Sequence, residues 1–206
     1  MSKVAETLVL PVYPQDYKLQ TQRLELHALT DGDASGLWPL VSDSRLTPFL
    51  AWEPHRSLKE TKSMIAALAE AQQADRGFHW VVCHAGQIVG LVSLIDVLWQ
   101  HRSWILNRAE LAYWIGLPYQ GQGYATEAAI AVTEFGFGKL HLHKIRVYHA
   151  ADNPASGRTI EKLGFRYVGE EKEAFQKDGI WHHLRHFEML ASEFPQSSIH
   201  ATWSFE

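Results

Sequence analysis

Residues 119–128 read Tyr-Gln-Gly-Gln-Gly-Tyr-Ala-Thr-Glu-Ala: two glycines one residue apart, then a run with helical spacing. Gly121 and Gly123 leave the backbone bare just where a helix starts. The first N–H groups of a helix lack intrahelical partners, and its dipole is positive there. Together these features suit an anion, most naturally a phosphate or pyrophosphate. The plainer reading is a tight turn that lets a strand and a helix pack. The flanks favour a site. Leu111 to Ile115 is a nearly continuous apolar run, as in a buried strand. Tyr124 to Phe137 carries Ala125, Ala128, Ala129 and Val132 on one stripe. A Walker loop is excluded because no Gly-Lys-Ser/Thr follows. A dinucleotide fingerprint wants a small residue where Thr126 stands and an acidic residue at the end of the next strand, near Asp152. A nicotinamide-dependent oxidoreductase on a Rossmann unit is therefore the rival reading of this loop.

Outward from the loop, the pattern is mixed α/β around one sheet. Leu24–Leu29 alternates as a first strand, and Thr30-Asp-Gly-Asp33 opens a helix. Residues 43–57 hold two prolines and predict an exposed loop. Ser57 with Glu60 is a capping-box pattern for a helix running to about Asp75. His79–Cys83 and Gln87–Ile95 predict a hairpin across His84-Ala-Gly86. Residues 96–108 predict a loop. Lys144–Tyr148 reads as a strand. Asn153-Pro154 opens a helix that ends at Gly164, with Asn as N-cap and Pro in the first turn. Phe165–Val168 and about Leu184–Leu190 are the last strands. One domain over 21–192 is expected, with an N-terminal arm (1–20) and a C-terminal tail (193–206).

Composition narrows the class. The 206 residues carry a formal net charge of -4, with 46% apolar and 20% charged residues. No basic block exists to neutralise phosphates, so nucleic acid is not the expected partner. Cys83 is the single cysteine, which excludes a disulfide framework and fits a reducing compartment. Its apolar neighbours suggest a buried, inert thiol. No signal-peptide core or long uncharged span is present. The expectation is a soluble cytoplasmic protein with no membrane partner.

Gln120-Gly-Gln-Gly-Tyr-Ala125 resembles the coenzyme A pyrophosphate motif of the GNAT N-acetyltransferase superfamily, Gln/Arg-x-x-Gly-x-Gly/Ala. The wider stretch Glu110–Glu127 is similar to the ribosomal-protein N-terminal acetyltransferase branch. So are Asn153-Pro-Ala-Ser-Gly-Arg-Thr-Ile-Glu-Lys-Leu-Gly-Phe165 and Phe49-Leu-Ala-Trp-Glu-Pro-His-Arg-Ser57. The likeness spans roughly residues 20–190. It implies the GNAT fold: a mixed, mostly antiparallel sheet, flanked by helices and splayed open between the strands at 111–115 and 144–148. It also implies acetyl-CoA in that cleft as co-substrate, with no metal, and a primary amine as acceptor. That amine is either a protein N-terminus or a small molecule. The resemblance places the pantetheine arm on Ile115, Gly116 and Leu117. It places the pyrophosphate on Gln120, Gly121, Gln122, Gly123, Tyr124, Ala125 and Thr126, with Asn153 and Arg158 nearby. Members often dimerise, so a homodimer is a further expectation. A non-catalytic coenzyme A-binding module is the remaining alternative.

Acetyl transfer needs the amine deprotonated, the oxyanion stabilised and the leaving thiolate protonated. By the resemblance, Ser156 is the candidate acid, against the plain reading that it satisfies helix amides. Glu110 is the candidate base acting through water, against a plain ion pair with Arg108. Asn153 is also an ideal helix cap. His149, at a strand end, is an alternative base. The other histidines lack a carboxylate or thiol to complete a metal set. Tyr113 and Ile115 should face one side of their strand and Trp114 the other. Trp52, Trp99 and Trp104, expected in loops, are candidates for the acceptor pocket.

Overall fold

The computed structural model describes residues 17–195 and 202–205. Along the chain come β1 (Tyr17–Gln20), β2 (Leu24–Ala28), α1 (Ala34–Val41), α2 (Leu58–Gln73), β3 (Phe78–His84), β4 (Gln87–His101) and β5 (Trp104–Ile115). Then follow α3 (Tyr124–Gly138), β6 (Lys144–Ala150), α4 (Pro154–Leu163), β7 (Arg166–Lys177), β8 (Ile180–Leu190) and β9 (Thr202–Phe205). The strands form one sheet in the order β7-β8-β6-β5-β4-β3-β2-β1-β9. Only β5 and β6 run parallel; every other pairing is antiparallel.

Side-chain alternation gives the sheet two apolar faces. Trp80, Val92, Leu94, Leu111 and Ile145 pack against Ala128, Ala129, Val132 and Phe135 of α3. On the other face Val81, Cys83 and Leu91 pack against Leu37 of α1 and Ile65 of α2. Tyr113 and Ile115 join the α3 side and Trp114 the other, as their alternation requires. Helix starts follow local chemistry. Ser57 Oγ accepts from Glu60 N, and Asn153 Oδ1 accepts from Ser156 N at 3.2 Å. Gly164 ends α4 at φ +79°, where a Cβ would be strained.

Several strands are longer than their sequence suggests. Residues 96–108 are not a loop: β4 runs to His101, and β5 begins at Trp104 after a turn at 102–103. Trp99 and Trp104 therefore stand in strands. The ladder carries register shifts between Ile95 and Gln100, and Asp96 and Asn107 adopt positive φ. Such bulges break the two-residue pattern that marks a strand. The last hairpin is also longer, spanning β7 and β8, because its charged exposed strands carry little alternation. Residues 17–20 of the expected arm form β1, and part of the expected tail returns as β9 beside it. Residues 1–16, and the tail outside 193–195 and 202–205, lie outside the described residues.

Gly90 lets β4 approach β5. A Cβ there would overlap the Trp114 carbonyl oxygen and sit 2.8 Å from Ile115 Cδ1. Gly90→Ala should destabilise the protein by about 2 kcal/mol or more, since rigid backbone cannot yield. Urea unfolding with an unchanged m-value checks it.

Candidate active site

The β5–β6 ladder is short: Arg108↔Lys144, Ala109↔Ile145 and Glu110↔Arg146. Beyond Glu110 the strands part. Asn107 O accepts from His143 N on the β6 side, while Gly116 N donates to Val89 O on the β4 side. Peptide groups alternate in direction along a strand, so those of Tyr113 and Ile115 face the gap. Gln120 Nε2 reaches back to Ile115 O at 2.9 Å and ties the glycine loop to the gap's edge. A 3-10 turn at Leu117–Tyr119 links the two.

The glycine loop is open. Gly121 and Gly123 adopt φ +74° and +82°, and nothing lies within 4 Å of a Cβ built at Gly121. Gly123 is the N-cap of α3 and supplies no side-chain cap, so the first-turn amides face outward. A clamp that the sequence did not suggest braces the loop. Glu127 Oε1 accepts from Thr21 Oγ1 (2.6 Å) and Arg23 N (2.9 Å). Glu127 Oε2 accepts from Arg23 Nε at 2.7 Å. Arg23 also donates to Gln122 O at 3.0 Å and lies 4.9 Å above the Tyr124 ring. Burial alone would raise the Glu127 carboxyl; the hydrogen bonds from Thr21 and Arg23 outweigh it and hold the pKa below the usual range. The only carboxylate in the first turn of α3 is thus neutralised. An uncapped helix start, two left-handed glycines and open space fit the pyrophosphate of coenzyme A.

The first turn of α4 stands across the gap. Ser156 Oγ is 3.0 Å from the Tyr113 hydroxyl, and that hydroxyl also donates to Ser156 O at 3.2 Å. Burial raises the Tyr113 pKa, opposed by its hydroxyl contacts, so the phenol stays protonated. Asn153 serves as the α4 cap. Arg158 is exposed on the opposite side of α4 from Ser156. There it helps line a groove of about 450 Å³ with His149, Tyr167, Glu170 and Arg185. His149 faces that groove and not the Glu110 side. Its ring stacks on Phe187 at 5.6 Å, and Nδ1 is 2.7 Å from Ala150 O.

Glu110, 7% exposed, points to the opposite face from α4. Burial pushes its pKa up, opposed by a hydrogen bond from Tyr148. It forms no ion pair with Arg108. The Tyr148 phenol is pushed up to about 12 by burial and by the Glu110 charge, so it stays protonated beside the carboxylate. On this face Trp52 of the 43–57 loop packs on Trp114 (6.1 Å) and His55 (5.4 Å). Lys177 fastens the loop by donating to Leu50 O (2.8 Å) and Trp52 O (2.9 Å). Phe49 meets His182, which stacks on Phe175. Trp99 is not in this set: it packs on the α3-side core and donates to Asp75 O. Trp104 is 69% exposed at the turn end of β5, the opposite end from Ile115. Among the described residues no group of three or more His, Cys, Asp or Glu could hold a metal ion, and no helix is long and apolar enough to cross a membrane.

The Acetyltransferase (GNAT) domain model matches residues 23–166. The uncharacterised N-acetyltransferase YoaA of Bacillus subtilis is 29% identical over 163 residues, covering 78% of this chain and 89% of that one. The structure of spermidine N-acetyltransferase from Vibrio cholerae with CoA and spermine superposes with a TM-score of 0.72 and 26% identity, covering 83% and 97%. RimL, a ribosomal L7/L12 α-N-protein acetyltransferase in complex with coenzyme A, gives 0.75 and 21%, covering 82% and 95%, a likeness of fold. The Rossmann alternative falls: the loop follows the fifth strand of a mostly antiparallel sheet, and Asp152 pairs with His182.

Gly123→Val puts a β-branched residue at a left-handed position, with its Cβ 3.4 Å from Arg23 Nη2, and so distorts the glycine loop. Coenzyme A affinity should fall by about tenfold or more, roughly 1.4 kcal/mol, in a calorimetric titration. Unchanged affinity would remove this loop from the site.

Proposed function

The chain belongs to the GNAT acetyltransferase family, and from that premise we propose that Glu110 and Ser156 handle the two protons of acetyl transfer to a primary amine. The amine nitrogen bonds to the thioester carbonyl carbon of acetyl-CoA, the C–S bond breaks, and coenzyme A leaves as the thiolate. Gly121, Gly123 and the amides of 124–126 hold the pyrophosphate. The peptide groups of Tyr113 and Ile115 hold the pantetheine arm, with Gly116 and Leu117 shaping its turn and Gln120 bracing it. The observation that carries the reading is the parting of β5 from β6 at Glu110. It puts a buried carboxylate and a helix-start serine beside one gap.

Glu110 acts as the base. Its raised pKa makes the carboxylate a stronger proton acceptor than an exposed glutamate. Tyr148, protonated at neutral pH, keeps the carboxylate oriented. Ser156 gives its hydroxyl proton toward the departing sulfur. A backbone carbonyl only accepts, so the two Tyr113 contacts with Ser156 are both satisfied in one arrangement: phenol hydrogen on Ser156 O, serine hydrogen on the phenol oxygen. When the phenol turns its hydrogen to Ser156 Oγ, the serine hydrogen is freed toward the gap. Tyr113 thus sets the direction of the Ser156 proton. Trp52, Trp114 and Phe49 form the acceptor's apolar walls.

Acetyl-CoA and CoA at about a hundred times Kd should stabilise the protein by roughly 2.7 kcal/mol in thermal unfolding, and NAD should not. Ser156→Ala should lower kcat by about a hundredfold with coenzyme A affinity retained, and Tyr113→Phe by a smaller factor. A fully active Ser156→Ala removes the acid role. Stabilisation without turnover of any amine would instead mark a non-catalytic coenzyme A module. The base works deprotonated and its pKa is raised. The rising limb of kcat/KM against pH should therefore lie above the ordinary glutamate range and vanish in Glu110→Gln.

A further inference from the structure

Among the described residues, two guanidinium groups on the Glu110 face form no ion pair. Arg108 on β5 and Arg146 on β6 point to the face that holds Glu110 and Tyr148, because Ala109, Leu111, Ile145 and Val147 fill the α3 side. Both are partly buried, and the Nε of each is shut from water without a hydrogen-bond partner. Their neighbours are satisfied. Glu188, cross-strand from Arg146, is taken by Lys144 (2.8 Å) and Arg166 (2.7 Å). Glu110 lies beside Arg146 in the ladder and feels its charge, but the two form no ion pair. Asp96, the other nearby carboxylate, is exposed and acts on Glu110 and Tyr148. Among the described residues the Arg108 side chain has no hydrogen bond and no ion pair.

A half-buried guanidinium without a partner is costly, and buried donors are normally satisfied. Its planar fork matches a carboxylate or a phosphate. Arg108 lies two residues from Glu110 on the same strand face, about 6.6 Å along the chain. We propose that Arg108, with Arg146 as its diagonal neighbour, forms an anion subsite of the acceptor pocket, so that the amine acetylated by this protein also carries a carboxylate or phosphate. The proposal rests on the acetyl-transfer reading and on Glu110 marking the amine's place. It runs against a polyamine acceptor, whose second cation would meet two arginines.

Three matched amines test it: 4-aminobutyrate, its amide, and 1,4-diaminobutane, each with saturating acetyl-CoA and thiol release as readout. The wild type should favour the carboxylate over the diamine by at least tenfold in kcat/KM. Arg108→Gln should lower kcat/KM for the carboxylate tenfold or more and leave the amide within about twofold. Arg108→Lys, which keeps the charge but loses the fork, should fall between. Inorganic phosphate should compete with 4-aminobutyrate in the wild type and leave the amide's rate unchanged, a readout that survives if the variants fail to fold. A wild type that prefers the diamine or treats all three alike overturns the proposal. So does Arg108→Gln lowering all three equally. Stabilisation by acetyl-CoA with no transfer to any of the three also overturns it, whereas loss of both stabilisation and transfer overturns the acetyl-transfer reading beneath it.

Discussion

β5 and β6 remain paired for three residue pairs and then part, and the rest of the molecule is arranged around that parting. Each strand follows its other neighbour. β5 is held to β4 as far as Ile115, and Gly116 N extends that attachment to Val89 O. β6 pairs with β8 along its whole length, from Lys144 to Ala150. Past Glu110 each strand keeps only its other partner. Parted strands expose peptide groups that need partners. The starts of α3 and α4 flank the opening, and the first-turn amides of α3 have no side-chain cap. A gap lined with backbone donors and acceptors therefore follows from topology, before any side chain is considered.

What the sequence made legible was local. The Gly121–Gly123 loop, the Asn153-Pro154 helix start and its end at Gly164 each depend on a few adjacent residues with strong preferences. The hairpin at Ala85-Gly86 is of the same kind, with both residues at positive φ. What stayed hidden depends on distant partners. Arg23 and Glu127 are 104 positions apart, and Arg23 looks like any exposed strand-flanking cation. Tyr113 reads as a core aromatic, and only the position of α4 turns its hydroxyl onto Ser156. The bulged halves of β4 and β5 gave no alternation to read, which also misplaced Trp99 and Trp104 in a loop.

On the proposed reading, the cofactor and acceptor halves of the site are held by different means. The cofactor half is fixed by backbone geometry and braced once, by Thr21 and Arg23 on Glu127. That clamp links the start of the sheet to the start of α3, so the loop's position depends on the β1–β2 connection as well as on its own glycines. The acceptor half is held by side chains from separate segments. Lys177 pins the 43–57 loop by two carbonyl oxygens, with Glu53 3.4 Å away, and the rings of Phe49, His182 and Phe175 pack behind it. The cofactor half can therefore be read from a short motif, while the acceptor half takes its shape from residues that no single motif contains.

The alternation of one strand also separates the proposed acid from the proposed base. Glu110 and Tyr113 are three residues apart on β5, so they point to opposite faces of the sheet. On the proposed reading, a thioester held in the plane of the gap has Ser156 and Tyr113 on its α4 side and Glu110 with Tyr148 on the other. The amine then arrives and loses its proton on one face, while the sulfur regains a proton from the other. The two proton transfers do not compete for one site. Neither group needs to change role during turnover, which is why a buried carboxylate with a raised pKa and a phenol that stays protonated can serve the same strand.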